Sequence, residues 1–119
     1  MSVRHPGLGG DWGLAAYDAA KGAVTNLTNA MALDHGSEGV RVNAVHPSMI
    51  STDMTAGFLQ NDEIVAGARN RVPMQRFGDP AEVASVITFL AGSAASYVNG
   101  SHIHVDGGLG ASNGNPHIA

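Results

Sequence analysis

Tyr17 and Lys21 are four residues apart, about one turn of a helix, in the alanine-rich stretch Tyr17-Asp18-Ala19-Ala20-Lys21. On a helix, residues four apart share a face, so the phenol and the ammonium would lie side by side. An ammonium stabilises a neighbouring phenolate, and such a phenol can exchange a proton with an alcohol or carbonyl oxygen near neutral pH. Taken alone, the spacing is more typical of a half-buried tyrosine beside a solvated lysine. The surrounding elements must decide between the two interpretations.

The elements before and after this pair alternate between helix and strand. A helix is predicted from Ala16 to about His35, with Gly36 as its stop at the C′ position. Small residues allow this helix to pack closely, and an apolar stripe runs along it at Val24, Leu27 and Met31. Residues 40–45 are rich in β-branched and small side chains and predict a buried strand.

The second half of the chain predicts a lid-like segment, a helix and a last strand. Residues 55–69 predict two short helices, Ala56–Leu59 and Glu63–Arg69, the second capped by Asn61 or Asp62. Asp79-Pro80-Ala81-Glu82 predicts a helix start with an N-cap, a first-position proline and a capping box. Residues 101–105 predict a short strand, which the intervening helices would place parallel to the first strand.

Four motifs in this order resemble the short-chain dehydrogenase/reductase family. They are Tyr-x-x-x-Lys at 17–21, the Arg-Val-Asn strand at 41–43, Pro-Ser-Met-Ile-Ser-Thr at 47–52 and Val-Asp-Gly-Gly at 105–108. The resemblance covers about residues 7–111. Within the family, residues 7–13 and 112–114 look most like acetoin/diacetyl reductases and butanediol dehydrogenases. The fold implied is α/β, the C-terminal part of a Rossmann-type doubly wound parallel sheet with two strands, one long helix, lid helices and one further helix.

The resemblance also implies roles for individual residues. Tyr17 would be the general acid/base of a ketone/alcohol interconversion that uses NAD or NADP, and Lys21 would hold the nicotinamide ribose. Pro47, Ser48, Ile50 and Thr52 would border the nicotinamide, with Ile50 against its ring and Thr52 bonded to its carboxamide. Ser48 replaces the glycine usual in the family. Residues 53–72 would form the substrate lid, with Met54, Phe58 and Leu59 as candidate wall residues, although simple packing explains those three equally well.

The family's glycine-rich phosphate-binding turn is absent from the 119 residues, and Arg4 stands where the family places its catalytic serine. We therefore interpret residues 1–119 as a single partial domain, the C-terminal half of such a subunit, with residues 111–119 as a tail. Residues 1–6 depart from the family and would be a junction or an altered start. The alternative is a catalytically inactive truncated chain that associates with full-length relatives. Activity of this chain alone is not expected.

Composition excludes several classes of function. Only 13% of residues are charged, the net charge is −4, and the six Lys and Arg are scattered, which argues against nucleic-acid binding. There is no cysteine, no apolar run of membrane-spanning length and no signal-peptide pattern, so a cytoplasmic protein is expected. The low charge predicts a surface covered by other protein, in keeping with the homotetramers of the family. The small carbonyl or alcohol substrate is left open among hydroxyketones, carrier-linked acyl groups, sugars and steroids.

Two other kinds of site are weaker predictions. His102 and His104 would point to one face of a strand, but no Asp or Glu at ligand spacing accompanies them, so no metal site is predicted. Ser, His and Asp are all present, but the Gly-x-Ser-x-Gly turn of many hydrolases is absent.

Overall fold

The computed structural model describes residue 11, residues 13–53 and residues 55–112 of the chain. Within them lie the helices α1 (Ala15–His35), α2 (Asp62–Arg71) and α3 (Pro80–Ala91), and the strands β1 (Ala44–Pro47) and β2 (His102–Val105). Short 3₁₀ turns at Gly36–Glu38, Phe58–Gln60, Ser93–Ala95 and Leu109–Ala111 connect them. This is the α/β arrangement predicted from the sequence, with two strands, one long helix, a helical lid segment and one further helix.

The two strands pair in parallel, with Ala44 opposite His102 and His46 opposite His104. Both strands therefore end at the same rim of the sheet. The prediction of a strand at 40–45 was wrong in its bounds and its burial, because pairing begins only at Ala44 and Val40 is 46% exposed. Just before that point, the Asn43 side chain links the two segments: it donates to Val98 O and accepts from Ser101 N.

Helix α1 turns an unexpected side toward the rest of the chain. Its buried residues are Thr25, Thr28 and Ala32. The two threonine hydroxyls donate to carbonyls one turn back, to Lys21 O at 3.2 Å and to Val24 O at 2.9 Å, which satisfies them inside the helix. The apolar stripe predicted at Val24, Leu27 and Met31 lies on the exposed side. The described residues thus leave the more apolar side of α1 uncovered.

The end of α1 differs in one detail from the prediction. The helix ends at His35 as expected, but Gly36 keeps right-handed backbone angles (φ −58°) and begins a 3₁₀ turn. The chain reverses at Gly39 instead, with φ +78°. A left-handed residue is what a C′ glycine supplies, so the sequence contained the correct residue type three positions later.

The start of α3 is as predicted. Asp79 Oδ1 accepts from Ala81 N at 2.8 Å, Glu82 Oε2 accepts from Asp79 N at 2.8 Å, and Pro80 occupies the first helical position. Together these contacts form a capping box, which fixes where the helix begins. The helix contributes Leu90 to a small core whose other buried apolar members are Ala32, Val72 and Ala95.

The lid segment leaves and re-enters the sheet region at one point. Ile50 and Gly78 form a parallel bridge, with Gly78 N donating to Met49 O and Ser51 N donating to Gly78 O, both at 2.9 Å. Between them, a 3₁₀ turn at Phe58–Gln60 stands near the helix predicted at Ala56–Leu59. Helix α2 follows, and Asn61 caps it by accepting from the N–H groups of its first turn.

Candidate functional site

The structure brings Tyr17 and Lys21 together. The Lys21 Nζ lies 5.2 Å from the centroid of the Tyr17 ring, within the range of a cation–π contact. Tyr17 is 54% exposed and Lys21 is also exposed. Both side chains are therefore reachable from solvent, as a proton donor and a ligand-binding cation must be.

The Lys21 ammonium forms no ion pair within the described part of the chain. Among the residues that the structure describes, no carboxylate lies within ion-pair distance of its ammonium; the ion pairs found there involve Arg76, His35 and His104. An ammonium has three N–H donors and no acceptor. Those donors are available to hydroxyl groups of a bound molecule.

The segment after β1 is held in a tight turn. Ser48 N donates to Val105 O at 3.2 Å, which continues the pairing with β2 past the end of β1. Met49 adopts φ +52°, an uncommon angle for a residue with a side chain. The Thr55 hydroxyl then accepts from Thr52 N at 2.8 Å and lies 3.0 Å from Ile50 O, to which it can donate. These contacts fix the backbone of the predicted nicotinamide-binding segment.

Two of the four predicted rim residues line a common cavity. Ser48 and Ile50 border a cavity of about 280 Å³ at the carboxyl ends of the two strands, where ligands bind in open α/β sheets. Pro47 and Thr52 do not line it, and both are exposed. The remaining lining residues come from the lid's return and from the end of β2: Met74, Arg76, Gly78, Glu82, His104, Val105, Asp106, Gly107 and Gly108.

The predicted lid wall is not part of this cavity. Phe58 is 62% exposed and Leu59 is half-buried, and neither lines the cavity. Met54 lies outside the described residues. Met74, which the sequence analysis did not single out, borders the cavity instead.

A second, larger cavity lies at the opposite end of the strands. It measures about 550 Å³ and its lining includes Val40, Arg41 and Tyr97, all of which precede the strands. The Arg41 guanidinium donates there to the carbonyls of Val98 and Gly92, both at 3.3 Å. Neither cavity is lined by Tyr17 or Lys21, and the larger one lies at the end of the strands opposite the predicted nicotinamide-binding segment.

One wall of the smaller cavity is an ion pair that the sequence analysis missed. Arg76 donates to both carboxylate oxygens of Glu82, at 2.8 and 2.7 Å. The hydrogen bonds from Arg76, and then that from Asp79 N, lower the pKa of Glu82 to about 2. The capping box of α3 and the cavity wall thus share one carboxylate.

Three histidines cluster on one face of the sheet, beside the rim. The His46 ring lies 5.3 Å from that of His102 and 5.7 Å from that of His104, centroid to centroid. His46 Nε2 lies 3.1 Å from His102 Nδ1, and His102 Nε2 lies 2.8 Å from Asn29 Oδ1 on α1. The sequence analysis placed His102 and His104 on one face but missed His46, which only the register of the two strands brings opposite His104.

The turn after β2 borders the smaller cavity and is held by hydrogen bonds to the Asp106 carboxylate. Asp106 accepts from Gly108 N at 2.9 Å and from Gly110 N at 2.7 Å. Gly107 has φ +63°, and a Cβ there would lie 2.6 Å from Val72 Cγ1. Glycine is thus required both by the backbone angle and by the close approach of the lid's end.

No group of three or more His, Asp or Glu within the described ranges is arranged to hold a metal ion. In the same part of the chain, no helix combines the length and apolar character needed to cross a membrane. Residues 1–10, on which the predictions for Arg4 and for the junction fall, lie outside the described residues, as does most of the predicted tail.

Comparison with known proteins gives consistent similarities. The family model described as Enoyl-(Acyl carrier protein) reductase matches residues 7–110. The meso-2,3-butanediol dehydrogenase of Serratia marcescens is 56% identical over 112 residues, which are 94% of this chain and 44% of that protein. The chain thus spans less than half the length of this relative.

Solved structures agree with the sequence comparisons. A 4-hydroxyisoleucine dehydrogenase complexed with NADH superposes with a TM-score of 0.81 at 31% identity, over 83% of this chain and 41% of that one. A gluconate 5-dehydrogenase from Burkholderia cenocepacia in complex with NADP and tartrate superposes with a TM-score of 0.77 at 33% identity, over 82% of this chain and 38% of that one.

Proposed function

The chain belongs to the short-chain dehydrogenase/reductase family, and on this premise we propose that it supplies the acid–base side of an NAD(P)-dependent ketone/alcohol oxidoreductase. The observation that carries the proposal is the exposed Tyr17–Lys21 pair, with the Lys21 Nζ 5.2 Å from the ring centroid and no competing carboxylate among the described residues. Members of the family use NAD(P), and the two solved relatives above bind NADH and NADP.

The residues present fit a nicotinamide cofactor. The Lys21 ammonium has donors available for ribose hydroxyls. Ser48 and Ile50 offer a hydroxyl and an apolar surface to the same cavity of about 280 Å³, and the exposed Thr52 would bind the carboxamide at its edge, beside Pro47. When bound, the nicotinamide supplies or accepts the hydride.

The chain's own contribution is the movement of one proton. In the direction of reduction, the Tyr17 O–H bond breaks and its proton passes to the carbonyl oxygen of the substrate, so that the product is an alcohol. In oxidation, the phenolate takes that proton back from the alcohol. The Lys21 Nζ lies 5.2 Å from the centroid of the ring that gives up the proton. A positioned acid of this kind contributes about 10²–10⁴ in rate.

We propose a small vicinal diol or hydroxyketone as the substrate. The 56% identity to a meso-2,3-butanediol dehydrogenase supports this class. A cavity of about 280 Å³ at the rim is of a size for a small molecule and is partly polar, since His104, Asp106 and the Arg76–Glu82 pair border it. The larger sugars and carrier-linked acyl groups would need more of the lid.

The test uses a chimera in which this chain replaces the matching segment of the Serratia marcescens enzyme. We expect the chimera to oxidise meso-2,3-butanediol with NAD or NADP, followed by the absorbance of the reduced nicotinamide. Tyr17→Phe should lower kcat at least about 10²-fold. Tyr97→Phe is the matched control, because Tyr97 is fully exposed at the far end of the strands. A folded chimera whose turnover survives Tyr17→Phe would refute the proposal.

A second candidate, association without catalysis, is favoured by a different observation. The exposed apolar side chains of α1 include Val24 at 52% and Leu27 at 57%, and only four apolar residues are buried in the described part of the chain. We propose that this face meets other subunits, in an assembly that the family predicts to be a homotetramer. The isolated chain separates the two functions: cofactor binding measured by NADH fluorescence supports catalysis, and co-elution with a full-length relative without cofactor binding supports association.

A further inference from the structure

The three-histidine cluster offers a connection between the sheet and the helix that carries Tyr17 and Lys21. Asn29 Oδ1 is an acceptor only, so the His102 Nε2 that lies 2.8 Å from it carries a proton and donates. A neutral His102 then presents the lone pair of Nδ1, to which His46 Nε2–H donates across 3.1 Å. The result is a directed chain of two hydrogen bonds from β1 through β2 to α1.

This chain of hydrogen bonds begins beside the proposed reaction centre. His46 immediately precedes the rim residue Pro47, and Asn29 lies two turns beyond Lys21 on the helix. The buried threonine between them, Thr25, places Lys21 on the side of α1 that faces the sheet. A change of charge at His46 would therefore be felt at the Lys21 ammonium.

We propose that His46 is a positioning residue for Lys21: it braces β1 against α1 through His102 and Asn29, and when protonated it adds a second positive charge that acts on the ammonium. The catalytic meaning of this inference rests on the proposed function, but the coupling itself does not. A histidine between pH 5 and 8 is the side chain suited to such a change of charge.

Burial and the charges around His46 determine the direction in which its pKa is shifted. His102 and His104 face it from β2, and Asp106 lies beyond His104, with a carboxylate oxygen 3.5 Å from the His104 Nδ1. The charge of Lys21 on α1 also acts on the pKa of His46. Helix α3 also packs on β1, and its carboxylate Glu82 is engaged by Arg76. Burial first, and then His102, His104 and Lys21, lower the pKa of His46 below 6.5.

The lowered pKa of His46 determines how the stability of the fold changes with pH. An unfolded chain takes up a proton at His46 near the ordinary pKa of 6.5, before the folded chain does. The folded chain therefore gains its full stabilisation from the neutral, desolvated His46 above that pH, and this stabilisation is lost as the pH falls through 6.5 toward the lower folded value. A proton added to His46 Nδ1 leaves the hydrogen bond from His46 Nε2 to His102 intact. A proton added to His102 Nδ1 would instead make that nitrogen a donor that faces the His46 Nε2–H, and the hydrogen bond would break.

Lys21 is the single lysine of the chain, which makes the test direct. With ¹³C-labelled lysine, its Cε–Hε signals report on one site while the pH is changed from 8 to 5 in about ten steps. We expect these signals to shift with the midpoint of the His46 ring signal. His46→Gln keeps a donor at the position of Nε2 but does not titrate, so it should preserve the fold and abolish the shift.

His35→Gln is the matched control, because His35 lies at the far end of α1 and pairs with Glu38 at 3.1 Å; it should leave the shift unchanged. Lys21→Met tests the reverse effect and does not depend on the folding of the His46 variant. It should raise the His46 midpoint by about 0.4 pH unit, the size expected for unit charges roughly 8 Å apart in a water-like medium.

A Lys21 signal that stays constant through the His46 titration, or a shift that persists in His46→Gln, would overturn the inference. So would an unchanged His46 midpoint in Lys21→Met. In the chimera, His46→Gln should also flatten the acidic side of the pH profile of kcat/KM. Loss of all activity in the unmodified chimera would count against the proposed function and leave the spectroscopic result to decide the coupling.

Discussion

The Lys21 ammonium faces the ring of Tyr17 across 5.2 Å, and both groups are open to solvent on the first two turns of α1. A cation at this distance is attracted to the negative face of the aromatic ring, and the contact requires no salt bridge. The relationship requires only one helical turn, and it survives in a chain that spans 44% of its 56%-identical relative.

Replacing Lys21 by methionine should weaken cofactor binding more than it weakens folding. A hydrogen bond to a charged group is worth about 1.5–3 kcal/mol, so we expect the Kd of the chimera for NADH or NADPH to rise about 10- to 100-fold. Fluorescence titration of the reduced cofactor measures this change. Arg69→Met, which removes an exposed cation from α2, is the control and should leave Kd within about twofold; equal effects of the two substitutions would contradict the assigned role.

The Arg76–Glu82 pair should make stability depend on acid pH. The pKa of Glu82 is lowered to about 2 from 4.5, so the carboxylate stabilises the fold above pH 4.5 and this stabilisation is lost as the pH falls toward 2. The free energies of unfolding of the unmodified chain and of Glu82→Gln should therefore differ at pH 6 and converge near about pH 2. Urea unfolding followed by circular dichroism checks this.

Glu63→Gln provides the matched comparison, because Glu63 is an exposed carboxylate in the first turn of α2. Its unfolding free energy should run parallel to that of the unmodified chain between pH 6 and pH 2. Convergence of Glu63→Gln as well would show that the effect is general to acidic residues and not specific to the ion pair.

Removing the N-cap of α3 should destabilise the fold. Asp79→Ala deletes the acceptor of Ala81 N and one side of the capping box, and we expect a loss of about 1 kcal/mol in the free energy of unfolding. Asp34→Ala, an exposed aspartate in the last turn of α1, should cost nothing measurable. Equal losses would mean that the cap contributes only charge.

Two glycine substitutions should act in opposite directions. Gly107→Ala forces a side chain onto a residue with φ +63° and places its Cβ 2.6 Å from Val72 Cγ1, so we expect a loss of at least about 1 kcal/mol. Gly67→Ala adds a methyl group on α2 where nothing lies within 4 Å, and should stabilise by about 0.5–1 kcal/mol. Thermal unfolding of both variants distinguishes a strained turn from a general effect of replacing glycine.

The parts of the fold that depend on neighbouring residues could be predicted from the sequence. The capping box of Asp79 and Glu82, the Asn61 cap of α2 and the common face of Tyr17 and Lys21 all follow from spacings of four residues or fewer. Their physics is local, because a hydrogen bond or a helical turn decides each of them.

The parts that depend on register could not be predicted in the same way. His46 meets His102 and His104 only because β1 and β2 align in parallel with Ala44 opposite His102. The first strand was placed too early because residues 40–43 have the composition of a strand, while pairing depends on what lies alongside them. The side of α1 that packs was also unforeseen, since Thr25 and Thr28 bury their hydroxyls by bonding within the helix.

The bridge between Ile50 and Gly78 has a consequence for how substrate range can change. The segment between them leaves and returns at this one pair, and its last part is also fixed to the turn after β2 by the buried Val72 and by Met74 N, which donates to Gly107 O at 3.2 Å. The stretch before Val72 can therefore change in length and composition without displacing the end of β2. This stretch of the segment between Ile50 and Gly78 can therefore be exchanged as a unit. If the proposed function holds, grafting the corresponding stretch from a dehydrogenase of different preference between these two anchors should alter which alcohol is accepted while leaving the positions of Tyr17 and Lys21 unchanged.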